Sequence, residues 1–250
     1  MTTDTSKKLK QLLSLFDSQK LIFSEQLLNK GFSSDLLQWY RKSGWIESYE
    51  RGIYKKTNTE ITIEDLIFAM QNQLELNIFF AGKYCLSKYY KISHFVSFND
   101  EIKTLFFYNS QKKLPSWFKK KFEKEINFYQ TDFIKTDKGF ITFDNIKIPS
   151  KERAFLELLY LCPEKTSVTE AKEILELMPE LRPAFLQELL EKCSSIKVKR
   201  LFLYLAEEVN HSWYKYLKTE KIDLGKGVRE VELDGTYIKK YQIIVMCEEI

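Results

Sequence analysis

Ser33, Ser34, Gln38, Arg41 and Lys42 fall within ten residues, and two further cations follow at Arg51 and Lys55. These side-chain types read double-stranded nucleic acid. Glutamine can pair bidentately with adenine and arginine with guanine, while serine and lysine reach phosphates or bases. At 100° per residue on a helix, Ser34, Gln38, Arg41 and Lys42 share one side, and Leu36, Leu37 and Tyr40 the other. The second set would pack on a core and leave the first free to enter a groove. The plain alternative is a solvated helix surface. Arg51 tips the balance toward binding, because it stands beside Gly52 at the expected tip of a hairpin, where a cation suits a backbone or minor-groove contact. Trp45 and Tyr54 are expected to pack that hairpin against the helices.

No comparable set supports catalysis. His94 and His211 are the only histidines, and neither has a nucleophile or ligand set placed beside it by spacing. Cys85, Cys162, Cys193 and Cys247 are widely separated, with no C-x-x-C pair, which favours free thiols over zinc. There is no glycine-rich phosphate loop and no nucleophile elbow, so neither a cofactor nor a metal is expected. Asp132, Asp144 and Lys147 do not assemble into a compact acid–acid–lysine metal site, and Glu170, Glu173 and Glu176 read most simply as a solvated helix face.

Two more basic groups stand in the second half. Lys112, Lys113, Lys119, Lys120, Lys121 and Lys124 are interleaved with Trp117, Phe118 and Phe122, a pattern of single-strand or RNA surfaces and also of an ordinary amphipathic segment. Lys197, Lys199 and Arg200 open an apolar helix, where cations oppose the helix dipole by a few tenths of a kcal/mol.

The elements that must position these residues follow from periodicity and punctuation. A helix is predicted over Lys7 to Phe16. Ser24 opens a short second helix, Gly31 and Phe32 turn it, and Ser33 or Ser34 opens a third that Gly44 stops. Trp45 to Tyr49 and Ile53 to Lys55 then make a two-stranded wing. Thr62 caps a further helix, Ile78 to Ala81 reads as a strand, and Lys83 to Tyr90 as a helix. After an expected boundary near residue 95, aromatic-rich strands (Thr104 to Tyr108, Ile126 to Tyr129, Phe140 to Phe143, Ile146 to Ile148) precede helices opening at Ser150, Val168, Pro183 and Lys197 and a small terminal β-unit. The fold class is α+β: an N-terminal winged helix-turn-helix over residues 1–95, then a larger mixed α/β C-terminal domain over residues 96–250.

The 250 residues are 44% hydrophobic and 30% charged, enough to bury real cores, and the net charge of +4 is mild. No run approaches the ~20 apolar residues of a membrane span, and the start lacks an apolar signal core, so a cytoplasmic protein is expected.

Several strings together resemble the AbiEi family of antitoxins from type IV toxin–antitoxin (abortive infection) systems. In the front half they are 42–47 (KSGWIE), 51–54 (RGIY) and 69–74 (AMQNQL). In the second half they are 150–154 (SKERA), 157–161 (ELLYL), 197–203 (KVKRLFL), 222–225 (IDLG) and 240–243 (KYQI). Lys151 departs from the pattern, standing where the family's proline would start a helix. The resemblance implies a non-enzymatic, bifunctional protein. Its winged helix would bind inverted repeats in promoter DNA and repress its own operon. Its C-terminal domain would counter a nucleotidyltransferase toxin without a stable complex. It also implies a basic functional surface in that domain, which Lys119, Lys120, Lys121, Lys197, Lys199 and Arg200 would fit. Two rival readings remain open at this level: a stand-alone winged-helix regulator, and a DNA-binding module fused to a nuclease-like domain.

Overall fold

The computed structural model describes residues 3–92, 103–108 and 112–246, with side chains from Ser6 onward. The expected boundary near residue 95, His94 and Cys247 lie outside the described residues. The chain packs as two units, residues 1–78 with 144–146, and residues 79–143 with 147–250.

The first unit begins with α1 (Thr3–Ser18), β1 (Leu21–Phe23), α2 (Ser24–Asn29) and α3 (Ser34–Lys42). β2 (Ile46–Glu50), β3 (Ile53–Lys56) and α4 (Ile63–Gln73) complete it. Its core gathers Leu12 and Phe16 from α1, Ile22 from β1, Leu27, Leu37 and Tyr40 from α2 and α3 with Phe32 from the turn between them, and Ile46 from β2. Leu36 and Tyr54 pack at the margin, as their periodicity predicts. The three strands form one antiparallel sheet in the order β1-β3-β2. This element order and strand order are those of a winged helix. β1 was not foreseen, because three residues carry no readable alternation; only pairing of Leu21 with Lys55 and Phe23 with Ile53 makes them a strand. Its outer edge is closed by a side chain. Gln73, the last residue of α4, accepts from the Phe23 amide at 2.8 Å and donates to the Leu21 carbonyl at 2.7 Å. α4 itself starts with a reciprocal capping box between Thr62 and Asp65.

The second unit places β4 (Ile78–Phe80), β5 (Lys103–Tyr108) and β6 (Ile126–Thr131) in a sheet of that order, with β5 and β6 parallel. A parallel pair needs a crossover, and α6 (Ser116–Lys121) lies within it. A two-stranded sheet, β7 (Phe140–Phe143) and β8 (Ile146–Pro149), leads straight into α7 (Lys151–Tyr160). α7 is the axis of the unit and is buried over all residues from Glu152 to Leu159. α5 (Gly82–Tyr90), α8 (Val168–Glu176), α9 (Pro183–Lys192) and α10 (Ile196–Val209) pack around it. Gly82 has φ +54°, a left-handed conformation that favours glycine at the start of α5. β9 (Arg229–Glu230), β10 (Thr236–Ile238) and β11 (Ile243–Val245) close the chain in the order β10-β11-β9.

Candidate nucleic-acid interface

α3 meets the angular expectation. Leu37 and Tyr40 are fully buried, whereas Ser34, Gln38, Arg41 and Lys42 are exposed along its outer side. Among the described residues none bonds or pairs with the side chains of Gln38, Arg41, Lys42 or Arg51. Ser33 takes a local role as the N-cap, its hydroxyl accepting from the Leu36 amide at 3.2 Å. Gly44, at φ +76°, ends the helix just before β2.

The hairpin is tight. Glu50 pairs with Ile53, leaving Arg51 and Gly52 as the turn, and the register shifts between Ser48 and Glu50. Gly52 has φ +77°, and its carbonyl accepts from the Ser24 amide at 2.8 Å, so the turn is fastened to the start of α2. Arg51 is therefore exposed on an immobilised tip. Lys55 is different. Its ammonium lies 2.6 Å from the Glu47 carboxylate and donates to the Thr59 carbonyl at 2.8 Å, so it ties the two strands together instead of standing free. Its neighbour Lys56 is exposed, and its ammonium has no partner among the described residues. Trp45 departs from expectation. Its backbone is bonded to Tyr40 and Thr57 at the corner between α3 and β2, but its ring is 42% exposed, and Trp39 is 39% exposed.

The two basic groups of the second unit separate sharply. Lys119, Lys120 and Lys121 are exposed on α6. Lys197, Lys199 and Arg200 do not form an exposed face. Lys199 and Arg200 are buried, and Lys197 is half-buried. Arg200 donates to the carbonyls of Leu224 (2.7 Å) and Gln242 (2.9 Å) and to that of Gly227, fastening α10 to the terminal β-unit. Lys197 donates to the Tyr160 and Cys162 carbonyls at 2.8 and 2.6 Å, where it satisfies the last carbonyls of α7. Burial holds its ammonium below the ordinary lysine pKa.

A third polar arrangement was missed in the sequence. Glu157, wholly buried on α7, accepts from Tyr108 Oη at 2.5 Å, from Arg153 Nε at 3.4 Å and from the Gly82 amide at 3.4 Å. Arg153 also donates to the Thr136 and Lys138 carbonyls at 2.8 and 2.6 Å, with its guanidinium over the Tyr108 and Phe140 rings. Burial pushes the Glu157 carboxyl up to about 7, against the opposing pull of Arg153. Beside it Glu152 holds Arg182 bidentately at 2.8 and 2.9 Å; burial raises that carboxyl's pKa, but the bonds from Arg182 outweigh it and the net shift is downward. The available signal was an i, i+4 Arg–Glu pair in a helix that is apolar at Ala154, Phe155, Leu156, Leu158 and Leu159. Several of the strings that carry the resemblance thus encode fasteners: Gln73 on α4, Glu152, Arg153 and Glu157 on α7, and Lys197 and Arg200 on α10.

His211 Nε2 donates to the Leu175 carbonyl at 2.9 Å, and Cys85, Cys162 and Cys193 are buried free thiols. Among the described residues no three His, Cys, Asp or Glu side chains stand together as metal ligands. No helix among them is long and apolar enough to cross a membrane.

Two family models match the chain. Residues 5–98 match "Transcriptional regulator, AbiEi antitoxin N-terminal domain", and residues 102–246 match "Transcriptional regulator, AbiEi antitoxin, Type IV TA system". No curated protein matches. Among solved structures, the chain is similar to the crystal structure of the RV2827C protein from Mycobacterium tuberculosis. The TM-score is 0.61 at 13% identity, over 98% of this chain and 92% of that one, which is a likeness of fold.

Proposed function

Because this chain belongs to the AbiEi family of type IV toxin–antitoxin regulators, we propose that it represses its own operon by binding promoter DNA and separately counteracts a nucleotidyltransferase toxin. The observation that carries the first half is the row Ser34, Gln38, Arg41 and Lys42, exposed and unpaired on α3, with Arg51 on a fixed turn nearby in the chain. In this reading α3 enters the major groove. Gln38 and Arg41 reach base edges, while Ser34, Lys42 and Arg51 contact phosphate. Ser33 contributes by capping the helix that presents them. Lys56 takes the place of Lys55, whose charge is already neutralised by Glu47. Inverted repeats would be met by two copies of the chain, one per half-site.

The antitoxin half is proposed to reside in the second unit, acting without a stable toxin complex, with Lys119, Lys120 and Lys121 as its exposed basic part. The protein is a regulator and performs no catalysis in this reading. Arg41→Ala should weaken binding to the chain's own promoter by about 1–3 kcal/mol and relax base preference at one position per half-site. Arg51→Ala should weaken all sequences alike and flatten the salt dependence by about 0.9 in the log–log slope. Unchanged shifts for both variants would refute the α3 assignment. Growth rescue of cells expressing the toxin encoded by the neighbouring gene tests the second half.

A further inference from the structure

Six lysines and two glutamates occupy residues 112–125, so this segment carries a charge of +4, equal to that of the whole chain. Everything outside it holds 33 basic and 33 acidic residues and is balanced. The segment is also well anchored. Leu114, Phe118 and Phe122 are buried, and Phe118 meets Phe128 of β6 edge to face at 5.4 Å. The aromatic side of α6 is thereby locked to the sheet, while Lys112, Lys113, Lys119, Lys120, Lys121 and Lys124 are all exposed. Among the described residues none pairs with Lys113, Lys119, Lys120 or Lys124.

The helix dipole favours cations in its last turn by a few tenths of a kcal/mol, which accounts for one or two of these lysines. It does not account for Lys112 and Lys113 before the helix or Lys124 after it. Like charges this close, well within a Debye length, repel one another unless an anion arrives. We infer that this segment is a binding surface for single-stranded nucleic acid, RNA or DNA, gripped through its phosphodiester backbone.

The geometry favours a single strand over a duplex. Lys119, Lys120 and Lys121 are consecutive on a helix, so their side chains fan over about 200°. A rigid duplex could meet only part of that fan, whereas a flexible strand can wrap it. Half-buried Trp117, next to Phe118, adds a ring of the kind on which an unpaired base stacks. The inference rests on the assignment of Lys119 to Lys121 as the second functional surface and names the chemistry of its partner.

The test uses the full-length protein with fluorescent poly(U), poly(dT) and an operator-free duplex, titrated over a range of salt. Either single strand should bind, the tighter one naming the source. K119E/K120E should weaken that binding at least tenfold, and K119A/K120A should make the salt slope shallower by about 1.4, two single-strand contacts. Both variants should leave affinity for the promoter duplex and the melting temperature unchanged. Three results would overturn the inference: no single-strand binding by the native chain, binding unchanged in both variants, or equal loss on single strand and duplex. Growth rescue by the native chain is scored separately, so rescue without strand binding removes this inference and leaves the antitoxin reading intact.

Discussion

Glu157 shows how one residue couples burial, charge and pH. Its carboxyl is pushed up to about 7 in the folded chain, against an ordinary value of 4.5. The folded state therefore holds this proton more tightly than the unfolded state. The group's stabilising contribution is complete below pH 4.5 and is lost as pH rises through about 7. Glu157→Gln cannot ionise; its single carbonyl oxygen keeps an acceptor for Tyr108, while its NH2 faces the Gly82 amide in place of the second carboxylate oxygen. Its melting temperature should lose the decline expected of the native chain between pH 5 and 8. Glu157→Leu should cost about 1–3 kcal/mol for each group left without its acceptor, since Tyr108 and the Gly82 amide bond this buried side chain. Identical pH profiles for the native chain and Glu157→Gln would contradict this account. Arg51 lies at the opposite extreme. It is an exposed cation on a turn held by Gly52, so its removal should change binding and leave folding alone.

At the scale of elements, α4 and β1 form an unusual joint. β1 has one strand partner, β3, and its other edge is met by the Gln73 amide acting as a single rung of a missing strand. Gln73→Ala should cost about 1–3 kcal/mol in urea unfolding, since it leaves the Phe23 amide and the Leu21 carbonyl unpaired. Promoter affinity of the folded fraction should be unaltered, because Gln73 acts on the strand beneath α2 and not on the face of α3. A stability loss within ~0.5 kcal/mol would mean that water replaces the amide without cost. The periodic elements were legible: α3, α4, α7 and α10 each begin at a serine or threonine cap, and α3 and α4 bury the faces that their spacing indicates, whereas α7 is buried all round and α10 also buries Lys199 and Arg200. β1 was not legible, because a three-residue strand exists only through its partners.

For the whole molecule, the arrangement of units bears on how its activities can be separated. The family models meet between residues 98 and 102, whereas Phe79 and Phe80 of β4 and all of α5 belong by packing to the second unit. Phe79, Phe80, Tyr84, Cys85 and Leu86 are buried there. A fragment of residues 77–250 should therefore melt cooperatively and rescue growth from the toxin while failing to repress. A fragment of residues 96–250 should unfold or aggregate, since it strips α5 from α7 and removes β4 from its sheet. Cooperative melting of the shorter fragment at the same temperature would show that α5 is dispensable to that core.

The sequence by itself determined the helix-turn-helix, the wing and the outer face of α3, because those follow from local periodicity, caps and glycines that act within a few residues. Tertiary structure decided which cations are free. Lys55, Lys197 and Arg200 looked like their exposed neighbours, yet each meets a carboxylate or carbonyl brought in from elsewhere, for Arg200 as far as 42 residues along the chain. A buried charge is tolerated only when such partners surround it. Side-chain type alone therefore cannot separate a fastener from a contact, and only the fold leaves Arg41, Arg51, Lys119 and Lys120 facing outward.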